Sequence, residues 1–261
     1  MKKGECKLCR QQKQLIRKSH IYPEFMYNVV FDETHRTIYQ DLKVEDRYKL
    51  YQTGFYDKYI LCEYCDNVVL GSLERYGASV LYTTDTATNG VKVSQTIERP
   101  GVIIMNVQNI DYKNFKLFVL NLLWKAHISS NPFFKKVSIE ELETELRRML
   151  LNGDPGKESD FQVCVVRLDR PDGSIMDMIP NPEVSLNKAL KVATFIIGGM
   201  AYTIELKKNS EFSMFPEFAL KSSNEIKIPR LSGGMARSYL KAMGIPDLHA
   251  DYFSGTNTSI N

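Results

Sequence analysis

At 261 residues, with 43% hydrophobic and 11% aromatic content, the chain has the composition of a soluble globular protein holding one large domain or a small module joined to a core domain. A net charge of only +3 excludes a protein that acts as a polyanion sponge along its whole length. The longest apolar run, residues 115–124, is too short for a membrane span and contains Lys116 and Asn121. No apolar stretch follows the opening Lys2-Lys3 pair, so no secretory signal is read and a cytoplasmic location is expected.

Charge is concentrated at the start. Lys2, Lys3, Lys7, Arg10, Lys13, Arg17 and Lys18 face a single acid, Glu5, within the first 18 residues. Lys7, Arg10, Lys13, Arg17 and Lys18 are candidates for phosphate contact, which would weaken as salt rises. The alternative is a merely solvated terminus.

Four of the five cysteines form two C-x-x-C pairs, Cys6/Cys9 and Cys62/Cys65. In a reducing compartment such pairs point to metal, and four thiolates in two knuckles make a closed tetrahedral zinc site. Cys164 stands alone in "FQVCVVRL" and reads as a core residue. Between the pairs lie "SHIYPEF" and a polar, Tyr-rich insert that includes His35. The aromatic residues there are expected to pack over a metal finger with little core of its own.

After Cys65, "NVVLGSLERYGASVLY" has helical spacing, and "TTDTATNG" marks a linker or a long turn between modules. This divides the chain into a metal-binding module, residues 1–75, and a second domain, residues 76–261. "GVIIMNVQNI" predicts a strand and "NFKLFVLNLLWKAHI" a central helix, apolar nearly all round and ending at His127. "SIEELETELRRMLLNGDPG" predicts a helix capped by Ser138 with Glu141 returning the bond, and stopped at Gly153 and Pro155. "FQVCVVRL" and "SIMDMIP", joined by "DRPDG", predict one hairpin. "VATFII" and "MAYTIEL", joined by Gly198-Gly199, predict another. The fold class expected is α+β, with an antiparallel sheet packed on long helices. "LSGGMARSYL" predicts a helix start without the lysine of a phosphate-binding loop. His249, between Asp247 and Asp251, reads as part of a polar C-terminal turn.

The order C-x-x-C, Ser-His-Ile-x-Pro, then L-C-x-x-C-Asp-Asn resembles the HNH nuclease family over about the first 75 residues. That resemblance implies a treble-clef zinc finger framing a ββα-metal site, with structural zinc on Cys6, Cys9, Cys62 and Cys65. It implies His20 as the general base. It places Ser19 and Asp66, with Asn67 as a near neighbour, where a catalytic magnesium or manganese ion is held. Three features depart from the family pattern: Ser19 stands where an aspartate is usual, His20 lies unusually far from Cys62, and the Gly-Gly with a following Asn common between the two halves is missing. Residues 114–134, with the helix predicted after them, are similar to uncharacterised bacterial proteins that begin with such a finger, which suggests a bacterial or phage-related origin; some proteins with such fingers serve in defence against foreign DNA, including antiviral defence. The expected activity is hydrolysis of nucleic acid, DNA before RNA. Residues 76–261 would set the target, a protein partner or a homo-oligomer. The alternative is a non-catalytic zinc module that binds nucleic acid or protein.

Overall fold

A computed structural model describes residues 2–31, 37–40, 48–51, 54–81, 90–100, 102–187, 190–210 and 216–245. The predicted linker at 83–90 falls outside them except for Gly90, as do His35 and the turn around His249. The N-terminal region is built from three small antiparallel ladders. β1 (Lys2–Glu5) pairs with β2 (Gln12–Leu15), and β3 (Ser19–His20) pairs across a long insertion with β6 (Tyr56–Asp57). Within the insertion β4 (Thr37–Gln40) pairs with β5 (Tyr48–Tyr51). A wide π-helical turn, Tyr64–Leu70, then runs directly into α1 (Gly71–Leu81).

The rest is organised on one seven-stranded sheet formed by β7 (Lys92–Arg99), β8 (Val102–Gln108), β9 (Val163–Asp169), β10 (Glu183–Asn187), β11 (Leu190–Ile197), β12 (Met200–Glu205) and β13 (Glu225–Ser232). Their spatial order is β10-β11-β12-β9-β13-β8-β7, antiparallel throughout except where β13 lies parallel to β9. The architecture is therefore a mixture of helix and large sheet, with four α-helices among the described residues. None of those helices is long and apolar enough to cross a membrane.

Side-chain alternation explains how the sheet is buried on both faces. Val163 and Val165 of β9, Phe195 and Ile197 of β11 and Tyr202 of β12 face the main core. Val166, Leu168, Ile196 and Ala201 face a second cluster closed by Ala236 and Leu240 of α4 (Gly233–Ala242). The main core also takes in α2 (Tyr112–Ile128) and α3 (Glu143–Asn152), together with Leu8, Leu15, Ile21, Tyr22 and the buried knuckle cysteines. One buried cluster thus spans both predicted segments, and α1 runs straight through residue 75.

Several local expectations are met for the reasons given. α2 begins where the Asp111 carboxylate accepts from the Asn114 amide at 2.9 Å, and every residue from Phe115 through Ala126 is buried. Gly198 and Gly199 both take positive φ, +56° and +74°, and close the β11–β12 hairpin. Gly153 ends α3 in the left-handed region, where its amide and that of Asp154 reach back to Leu150 and Met149. Cys164 is buried in the sheet.

Two expectations are corrected. Ser138 does not cap a helix: α3 starts at Glu143 behind Leu142, with no side-chain cap. The buried Ile139 gives its amide to Nδ1 of His127 at the end of α2, and Glu141 reaches Lys191 on β11, so the carboxylate that would return the bond is drawn elsewhere. The segment after "DRPDG" forms no full hairpin strand either. Both edges of β9 are already taken, by β12 and β13, which leaves Ile175 with a single bridge to Asp169.

Candidate metal centre and the residues beside it

The first knuckle is the turn of the β1–β2 hairpin. Arg10, at φ +59°, closes it by donating its amide to the Cys6 carbonyl at 2.8 Å, while the Cys6 amide reaches the Gln11 carbonyl at 3.0 Å. The second knuckle sits at the mouth of the π-helical turn, with the Asp66 amide on the Cys62 carbonyl at 3.0 Å. A bridge between Leu15 and Cys62, and an Ile16 amide donating to the Leu61 carbonyl at 3.0 Å, hold the two knuckles together. Their four sulfur atoms lie within 4.8 Å of one another. A zinc–sulfur bond of about 2.3 Å implies sulfur–sulfur edges of roughly 3.8 Å, so closure on an ion needs only a small contraction.

The donor chemistry agrees with zinc. The Cys62 amide already donates to the Cys6 sulfur at 3.3 Å. Burial pushes the Cys6 thiol up, but amides of Cys9, Cys62 and Leu8 pull it below its ordinary value. Burial and the nearby Cys6 sulfur push Cys62 and Cys65 upward, so four thiolates this close need a cation among them. The four cysteines are able to hold one zinc ion in a closed, all-sulfur site.

Ser19 and Asp66, 47 positions apart, are brought into contact. The fully buried Ser19 hydroxyl donates to Asp66 Oδ1 at 2.5 Å. His20 is half-buried, and its ring meets Tyr56 edge-on, with centroids 6.5 Å apart and planes at 89°. Burial lowers its pKa below the ordinary value, helped by the charge on Lys18; Lys125 pushes the same way, while Glu24 and Glu74 push back. The imidazole is therefore neutral at pH 7, the form that can accept a proton.

The residue that sequence reasoning missed here is Lys125. It is 1% exposed, projects from α2, and places its ammonium 2.8 Å from Glu74 Oε1 and 3.4 Å from Asp66 Oδ1. Asn121, one turn earlier, donates to the same Glu74 oxygen at 3.2 Å. Asn121 and Lys125, spaced i, i+4 in a largely apolar helix, are the signal: two polar groups on one turn of a buried helix need a partner.

This arrangement is a poor fit to a hard divalent cation. Ser19 supplies a neutral hydroxyl whose hydrogen bond is already directed at Asp66, and Asp66 is neutralised by an ammonium. An ion bound to Asp66 Oδ1 at about 2.1 Å would stand within about 6 Å of that ammonium. At an effective dielectric of about 20, charges of +2 and +1 at that distance repel by on the order of 5 kcal/mol.

The remaining candidates are dispersed. Asn67 is exposed, and its carbonyl receives Arg75 at 3.4 Å. Lys7 donates to the Ile128 carbonyl at 2.6 Å, closing the end of α2. Arg10 bonds Glu5 and Glu143, each at 3.2 Å. Lys13, Arg17 and Lys18 are exposed, and the Lys18 ammonium lies 4.9 Å from the centroid of the Tyr56 ring that His20 also touches. Asp57, beside Tyr56, is buried and accepts from Ser129 Oγ at 2.6 Å, Ser130 N at 2.9 Å and Ser130 Oγ at 2.6 Å. Comparison with family models, curated proteins and solved structures gave no match to this chain.

Proposed function

We propose that the N-terminal region is a zinc-stapled treble-clef module of HNH-like type that acts on nucleic-acid phosphodiesters, with His20 as general base. The observation that carries this reading is the Ser19–Asp66 contact immediately beside His20, formed by one residue that follows the first knuckle and one directly after the second. A neutral imidazole can take a proton from water, and the exposed Lys13, Arg17 and Lys18 offer contacts to a phosphate backbone, DNA before RNA. Zinc has a structural part in this proposal, since four sulfurs leave it no open position. The remainder of the chain would select the target, a protein partner or a second copy, with defence against foreign DNA as the biological setting.

The test is cleavage of plasmid and single-stranded DNA by zinc-loaded protein, with and without added magnesium or manganese. His20→Ala should lower the rate by about 10²–10⁴-fold while retaining zinc. Equal cleavage by that variant removes His20 from the mechanism. A second reading, a non-catalytic zinc module that binds nucleic acid or protein, is favoured by one observation: Asp66 is held by Ser19 and Lys125. Salt-sensitive DNA binding with no cleavage under any of these conditions would select it.

A further inference from the structure

We infer that Lys125 is a built-in countercharge at Asp66, which excludes a divalent ion from the position where an HNH-like site would carry one. The inference rests on the proposed reading only for where that ion would sit. Three features of the chain support it. Lys125 is presented by the central helix α2, whose position is fixed by the core on all sides, so its ammonium is not a surface charge that swings aside. Its partners come from one continuous helical segment: Asp66 follows the last cysteine in the π-helical turn, and Glu74 lies on α1. Asn121 secures Glu74 from the same helix that carries Lys125.

The group beside Asp66 points the same way. Ser19 is completely buried and directs its hydroxyl at the very oxygen that Lys125 approaches. A carboxylate at this position would add a second hard ligand; a serine adds a hydrogen-bond donor, which suits a carboxylate that has no metal to bind. The charges of the cluster are one ammonium against the two carboxylates of Asp66 and Glu74, with His20 neutral. A divalent ion on Asp66 Oδ1 would have to displace both the ammonium and the hydroxyl, leaving a buried lysine with one partner fewer. The scaffold that would have organised a metal is thus held by a side chain from the other half of the protein.

Manganese binding to the zinc-loaded full-length protein, followed by the electron paramagnetic resonance of free Mn²⁺, tests this directly. Wild type should show no manganese site that depends on Asp66. Lys125→Met should bind one Mn²⁺ at least tenfold more tightly than wild type, and Asp66→Asn in that background should abolish the gain. If Lys125→Met does not fold, Lys125→Gln, which keeps a donor for Glu74 without the charge, takes its place. A wild-type manganese site lost in Asp66→Asn overturns the inference, as does a folded, zinc-loaded charge-removing variant that binds no better than wild type. DNA cleavage enters neither measurement, so an inactive protein that passes this test refutes only the catalytic reading, and an active one that fails it refutes only the exclusion.

Discussion

Removing the metal should loosen the N-terminal region far more than it disturbs the sheet. The ion would tie the hairpin carrying Cys6 and Cys9 to the turn carrying Cys62 and Cys65, across 52 intervening residues. Treated as a cross-link, a loop of that length restricts the unfolded chain by about 4 kcal/mol. For a protein of this size that corresponds to a fall in melting temperature on the order of 10 °C. Other ties remain without the ion, including the Ile16 amide on Leu61 and the Arg147 guanidinium on the Leu8 carbonyl at 3.1 Å. Loss of hydrogen-exchange protection should therefore concentrate in residues 2–31 and 54–81, with β9, β11 and β12 protected. Zinc release measured colorimetrically, alongside thermal melts with and without a strong chelator, provides the assay. A chain that binds less than one equivalent of zinc, or whose melt moves by under about 2 °C on chelation, refutes the staple.

A Cβ at Gly77 would stand 2.7 Å from the ring of the fully buried Phe118, so α1 and α2 are in contact at that point without room for a methyl group. Gly77→Ala gains about 1 kcal/mol of helix propensity but meets an overpacking cost of typically 1–3 kcal/mol, and a net loss of about 1 kcal/mol is expected in urea denaturation; a stabilised variant contradicts this packing. Burial pushes Lys116 down to about 8 from 10.5, against the pull of Asp160, Glu158 and Asp154. Its folded-state pKa lies below the unfolded value, so between about pH 8 and 10.5 the unfolded chain holds a proton that the folded protein has lost. Stability of wild type relative to Lys116→Met should accordingly rise with pH across that window, and a flat difference would show that the ammonium is not desolvated.

How much of this was visible in the sequence depends on whether a residue's partner lies nearby in the chain. The Gly198-Gly199 hairpin and the glycine stop of α3 are local backbone events, written in the residues that perform them. The cysteine cluster is long-range but chemically exclusive, since two knuckles suit one metal. Ser138 misled because its motif is local while its competitors, His127 and Lys191, arrive from elsewhere in the fold. β7 carries exposed residues along its entire length, so it shows no period that a sequence reading can detect. Lys125 was hidden for a different reason. In a helix apolar nearly all round, one lysine reads as an interruption until Asp66 and Glu74 are placed beside it.

The three hydrogen bonds received by Asp57 bear on any attempt to produce the cysteine-bearing region by itself. Ser129 and Ser130, which make them, lie more than fifty residues beyond the last cysteine, as does the carbonyl of Ile128 that anchors Lys7. A truncation at residue 75 would keep every sulfur ligand and still expose a stranded carboxylate and a bare hydrophobic flank. Any shorter unit with an intact metal-binding end therefore extends at least through the long central helix and the serine pair behind it, and through α3 if the Arg147 bond to the first knuckle is to be kept.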